Sequence, residues 1–374
     1  MANPSEILHL AFLTASEHLP SPLVHDAQIV DNVEYVCRNL QNRAGVRLLL
    51  ACLLAKAHNP AVDIRKPYTE IGDPDSYSGR TYDERYVTDF INRHQLPCNN
   101  TTAFLTPALR NRNTVLTPDL NLVGRPPQLY RTTLELLTEV HRGKVSAADL
   151  LAEVVRWLLI IRNERQQRME TLLEGLKSSR NTASLSAEAI VTLIQQHLNS
   201  PKSSRLPVLV VAAAYQAAER QLGERVMPLR GHNVADRQSG SLGDLEVVLV
   251  GDDRVVTCYE MKTRRVTKND LDHALQKIGT APHRIDNYIF ITTEAIAQEV
   301  KDYAASLYAE TGGIEVVVLD CMGFLRHFLH LFHRLRVDFL NAYQDLLLAE
   351  PDSAVNQPLK EVFLALRQAA ESGE

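Results

Sequence analysis

The sequence predicts an α/β fold: a mixed central sheet flanked by helices, joined to a mainly helical N-terminal domain. Three observations predict it. Helical periodicity dominates up to about residue 198. Two β-branched runs, Val247-Val248-Leu249-Val250 and Arg254-Val255-Val256-Thr257, then flank the turn Gly251-Asp252-Asp253, a hairpin pattern. Beyond them the order helix, strand, helix, strand suggests a mixed sheet flanked by helices.

Taken in order, residues near 5–18 and 27–58 read as helices. The second carries the stripe Val46, Leu48, Leu49, Leu50, Leu53 and Leu54 and stops at Asn59-Pro60. A Pro/Gly/Asp/Tyr-rich loop follows. Thr81 then looks like a helix cap, with Glu84 completing a capping box and the helix running to about His94. A second loop-like stretch, Cys98 to Pro118, precedes helices over 127–142, 146–177 and 186–198. A helix from Pro207 to Leu222 leads through the loop 230–241 into the hairpin. Next are a helix over 267–278, the strand Tyr288–Thr292, a helix over 294–310 and the strand Ile314–Leu319. A long helix from about Gly323 to Leu348 and a short one after Pro351 close the chain. The domains implied are 1–198, mainly helical; 199–325, the α/β core; and 326–374, helices on the core or at an interface.

Composition narrows the class. With 40 Lys and Arg against 45 Asp and Glu, the formal charge of −5 argues against a nonspecific nucleic-acid coat and leaves room for a local basic cleft. No run approaches the ~20 apolar residues that span a bilayer, and Met1-Ala2-Asn3-Pro4-Ser5-Glu6 lacks the basic start and apolar core of a signal peptide. A cytoplasmic protein with no membrane partner is expected. The five cysteines are widely spaced and form no CxxC pair, so neither a disulfide framework nor a zinc site is expected.

The chemistry concentrates at the hairpin. Side chains alternate along a strand, so Asp244 and Glu246 share one face of the outgoing strand, and Glu260 and Lys262 one face of the return. Pairing about the turn brings carboxylates and an ammonium to one end. Mg²⁺ takes oxygen ligands, commonly one or two carboxylates with water and substrate phosphate. Asp244 and Glu260 are the candidate ligands, and Lys262 the candidate for orienting water or stabilising phosphorane charge. A Glu–Lys ion pair along one strand is the plain alternative. Glu246 and Glu219, late in the preceding helix, are candidate accessory carboxylates. Gln276, and less so His273, are candidates from the helix after the hairpin.

Asp244, Glu260 and Lys262 on a hairpin between helices resemble the PD-(D/E)xK nuclease core, with Leu242-Gly243 where the family's name puts proline. The stretches Tyr77-Ser78-Gly79-Arg80-Thr81-Tyr82-Asp83-Glu84-Arg85-Tyr86 and Thr101-Thr102-Ala103-Phe104-Leu105-Thr106-Pro107-Ala108-Leu109-Arg110-Asn111 are more distinctive. With the hairpin they resemble the SacI-type restriction endonuclease family over roughly residues 30–330. That resemblance implies Mg²⁺-dependent cleavage of double-stranded DNA at a short sequence, a homodimer, and functional pairing with a DNA methyltransferase.

Candidate DNA contacts fall in three groups. Arg264, Arg265 and Lys268 follow the lysine directly and suit phosphates. His232, Asn233 and Arg237 lie in the polar loop before Asp244. Arg80, Arg85, Arg110, Asn111 and Arg112 are the N-terminal candidates for reading bases. For the neighbouring tyrosines the plain alternative is packing with a bonded hydroxyl. Two other functions fit the same residues: a repair or junction nuclease, and a DNA-binding protein that keeps the fold without activity.

Overall fold

The computed structural model describes residues 3–39, 42–99, 101–178, 185–229, 241–281 and 283–372. They fall into two compact units, Met1–Gln167 and Arg168–Glu374. Residues 168–198, expected with the N-terminal domain, pack in the second unit, because Leu176, Ile190, Val191 and Ile194 share a core with its later helices.

The first unit is helical. It contains α1 (Pro4–Glu17), α2 (Ala27–Arg38), α3 (Ala44–His58), α4 (Gly79–Tyr82), α5 (Thr88–Arg93), α6 (Pro127–His141) and the start of α7 (Ala147–Ser178). Helix α3 is apolar nearly all round and every residue from Leu48 to Ala55 is inaccessible, as a central core helix requires. The single helix expected over 27–58 is broken after Arg38. Asn39 accepts from the Asn42 amide at 3.0 Å and Asn42 from the Ala44 amide at 3.1 Å, so side chains take donors a continuous helix would use. The helix expected to start at Thr81 starts at Gly79. Its cap is Ser78, whose hydroxyl accepts from the Thr81 amide at 3.2 Å, while Glu84 pairs with Arg80 at 2.8 Å. A π-helical turn, Asp83–Val87, follows.

The second unit holds α8 (Ala187–Leu198), α9 (Leu206–Leu222) and a five-stranded mixed sheet. Its strands, in spatial order, are β1 (Glu224–Val226), β2 (Leu245–Leu249), β3 (Val255–Lys262), β4 (Asn287–Thr292) and β5 (Glu315–Asp320). The first three are antiparallel; β4 and β5 run parallel to β3. Helix α10 (Lys268–Gly279) crosses from β3 to β4, and α11 (Gln298–Glu310) from β4 to β5. Among the strands of the described residues, the sequence reading missed β1, which has three residues.

The two sheet faces carry different cores. Leu245, Val247, Tyr259 and Ile291 pack with the apolar face of α9, and the Tyr215 and Tyr259 hydroxyls meet at 2.9 Å. Cys258, Tyr288, Phe290 and Val316 pack with Leu271 and Ala274 of α10 and Val300 and Ala304 of α11.

The long helix expected from Gly323 to Leu348 is two helices, α12 (Cys321–Leu331) and α13 (Arg336–Ala349), joined by a 3₁₀ turn, with α14 (Gln357–Ser372) after them. The break brings the Phe328 and Phe339 rings to 5.9 Å. In a straight helix eleven residues of rise would separate them by ~16 Å. Leu325, Phe328, Leu329, Phe339 and Leu340 are buried in this unit's core. Among the described residues no helix is long and apolar enough to cross a membrane.

Candidate active site

Register places the hairpin residues. Leu245 pairs with Tyr259 and Glu246 with Cys258, so one step beyond the ladder Asp244 stands opposite Glu260. Side-chain alternation then puts Asp244, Glu260 and Lys262 on the sheet face covered by α10. Asp244 is exposed, and its Oδ2 accepts from the Met261 amide at 2.7 Å, tying the start of β2 to the end of β3. Gly243 makes this approach possible, because a Cβ there would lie 2.5 Å from the Tyr259 carbonyl oxygen.

Glu260 is the centre of the cluster. Its Oε1 meets Lys262 Nζ at 2.9 Å, and its Oε2 meets Lys277 Nζ at 3.0 Å and the Tyr288 hydroxyl at 3.0 Å. That hydroxyl is also 2.9 Å from the Leu242 carbonyl oxygen, so Tyr288 links Glu260 to the segment leading into Asp244. Burial works against the Glu260 charge; the Lys262 hydrogen bond and the nearby Lys277 and Lys262 charges outweigh it and hold the carboxyl below its ordinary value. Burial, with Glu260 beside it, keeps the Tyr288 phenol neutral by raising its pKa.

The end of β3 is braced from α10. Asp270 caps that helix through Thr267 and takes both Arg264 guanidinium nitrogens, at 2.9 and 2.6 Å. Burial opposes its charge too, but Arg264 and Thr267 hold its carboxyl well below the usual range. Lys262 Nζ stands 3.9 Å from the same carboxylate.

Residues 182–294 match the family of the SacI restriction endonuclease C-terminal domain. This segment resembles the SacI-type restriction endonuclease domain. No curated protein matches the chain. The matched segment runs from α8 to the end of β4 and contains every residue of the cluster just described.

Within the matched segment the other candidates have varied surroundings. Glu246 is buried on the face of Glu260, and its carboxylate accepts from the Leu242 amide at 2.8 Å and the Ser241 hydroxyl at 3.1 Å. It shapes the entry into β2. Glu219 is exposed near the end of α9, which packs on the opposite sheet face, so the structure does not bring it to Glu260. Gln276 and His273 are exposed on α10. Arg264 is engaged by Asp270, Arg265 is exposed, and Lys268 Nζ lies 5.8 Å from the centre of the Tyr303 ring. His232, Asn233 and Arg237 lie outside the described residues.

In the first unit the two distinctive stretches meet at Asp83, which also forms a buried ion pair with α3. Arg47 Nε and Asp83 Oδ1 are 2.6 Å apart, both side chains inaccessible. Asp83 Oδ2 accepts from the Thr102 hydroxyl at 2.6 Å and the Ala103 amide at 2.9 Å, and Arg47 reaches Thr88 and the Asn99 carbonyl. Tyr77, Tyr68 and Tyr82 bond Ile64, Leu109 and His58, the packing alternative for tyrosines. Arg80, Arg85, Arg110 and Asn111 are exposed, and Arg112 donates to the Ala108 carbonyl at 2.7 Å.

Sequence reasoning missed Lys277 and Tyr288. Lys277 follows Asp270 by seven and Ala274 by three, on the sheet-facing stripe of α10. Each helical step turns ~100°, which sends the neighbouring Gln276 to solvent. The signal was present in that spacing. Tyr288 read as an ordinary strand residue because its hydroxyl partner depends on which strand lies beside it.

Proposed function

We propose that this protein is a type II restriction endonuclease, cutting both strands of double-stranded DNA at a short specific sequence. Asp244 and Glu260 are its Mg²⁺ ligands and Lys262 its catalytic lysine, on a sheet of the PD-(D/E)xK kind. The observation that carries the reading is the gathering of Asp244, Glu260 and Lys262 on one sheet face, inside the segment that matches a restriction endonuclease domain.

The residues fit a hard divalent ion. Among the described residues no group of three or more His, Cys, Asp or Glu surrounds a common point. Two carboxylates leave the remaining positions to water and a phosphate oxygen, the usual habit of Mg²⁺. Such an ion, when bound, polarises the phosphate and lowers the pKa of a coordinated water. The chain's own groups do the rest. The Met261 amide orients Asp244, and Tyr288 orients Glu260. Lys262, with 22 % of its side chain exposed, presents an ammonium to the attacking water or to the charge developing on the phosphate. The products are 5′-phosphate and 3′-hydroxyl ends.

Arg265, Lys268 and the loop with His232, Asn233 and Arg237 are proposed to meet the DNA backbone near the cut. Arg80, Arg85, Arg110, Asn111 and Arg112 are proposed to reach base edges. A homodimer places two sites on a palindrome, and a methyltransferase of the same specificity protects host DNA.

Sequencing the ends of genomic DNA digested with Mg²⁺ tests the specificity. One short motif at every end is the expected result, with no cutting in EDTA. Cutting confined to branched junctions overturns the restriction reading in favour of a junction nuclease.

A further inference from the structure

Glu260 meets two ammonium groups. Lys262 reaches it along its own strand at 2.9 Å, and Lys277 reaches it from α10 at 3.0 Å. Lys277 is largely withdrawn from water, with 27 % of its side chain exposed. Holding a long ammonium side chain there costs rotamer freedom and hydration. The contact falls on Oε2, one of the two oxygens a metal ion at this carboxylate would use. A dication a few ångströms from that ammonium meets a like charge in a partly shielded setting, where repulsion is stronger than in bulk water.

We propose that Lys277 is a positioning residue, a resident counter-cation that occupies the Glu260 side of the metal site and keeps it weakly loaded until an ion displaces it. The proposal rests on the reading of Asp244 and Glu260 as metal ligands. Asp244, Glu260, Lys262 and Lys277 sum to zero formal charge. Displacing Lys277 leaves a dication and a freed ammonium facing the same place. The surplus positive charge attracts a phosphodiester, so metal and DNA bind better together than apart.

Mn²⁺ binding to the full-length protein without DNA, followed by the EPR signal of free Mn²⁺ and competed with Mg²⁺, tests this. Lys277→Met and Lys277→Gln are expected to bind about tenfold tighter than wild type, from removal of one like charge beside the ion. Lys277→Arg is expected to bind like wild type, and Asp244→Ala to lose the site. Circular dichroism selects the variants that fold. Unchanged or weaker binding by both charge-free variants, beside intact Asp244-dependent binding in wild type, overturns the role of Lys277 and leaves the functional reading standing. No Asp244-dependent binding in any protein overturns both.

Discussion

At the scale of single residues, Gly243 decides whether Asp244 can reach β3. With a Cβ 2.5 Å from the Tyr259 carbonyl, Gly243→Ala forces the strand start away and loosens the Asp244 bond to the Met261 amide. We expect Gly243→Ala to lose about 1–3 kcal/mol of stability, as overpacking does, and to cut DNA at least about tenfold more slowly, since small misplacements at reacting centres cost that much. Denaturant titration and single-turnover cleavage check both. Unchanged cleavage would show that the close approach is not needed. Asp244, Glu260 and Lys262 were legible because alternation along a strand depends on sequence alone. Glu246 shares that alternation, yet it is bonded to the turn before β2. Which donor a buried carboxylate faces depends on the loop folded over it, and period two does not carry that.

At the scale of elements, helices and strands were legible where periodicity is strong, and their ends and breaks were not. The break between α2 and α3 rests on Asn39 and Asn42, side chains that cap or extend a helix depending on a one-residue choice. The break between α12 and α13 follows from ring packing between residues eleven apart, a tertiary preference that outweighs continuous helical propensity. The stretches around Arg80 and Thr102 stood out as motifs, and much of their polar character serves a joint. Asp83 connects the π-helical turn, α3 and the Thr102–Ala103 segment through bonds to Arg47, Thr102 and Ala103. Asp83→Ala leaves the Arg47 guanidinium buried without its carboxylate. The expected loss is about 3–5 kcal/mol, the cost of breaking a buried pair from one side, read as a drop in the urea midpoint of the first unit. A loss below about 1 kcal/mol would mean that water replaces Asp83 readily.

At the scale of the whole molecule, His197 is expected to make the second unit sensitive to acid. Its ring is inaccessible, with Nδ1 3.0 Å from the Tyr343 hydroxyl and Nε2 2.9 Å from the Leu359 carbonyl oxygen. Burial lowers its pKa to about 4, partly opposed by the Leu359 bond. The unfolded chain therefore takes up a proton that the folded unit refuses. The neutral ring's contribution is present above the unfolded value near 6.5 and is lost as pH falls from there toward 4, by about 3 kcal/mol in all. Melting temperatures between pH 7 and pH 4 should fall more for wild type than for His197→Gln; parallel curves would remove His197 as the cause. Asp244, Glu260 and Lys262 are proposed to form one DNA-cutting centre on the α10 face of the sheet. Plasmid cleavage with Mg²⁺, comparing wild type with folded Glu260→Gln and Lys262→Ala variants, tests it most directly. Wild type is expected to give discrete fragments and each variant to cut at least about a hundredfold more slowly, the scale of removing a transition-state stabiliser. Equal cutting by wild type and both variants would contradict it.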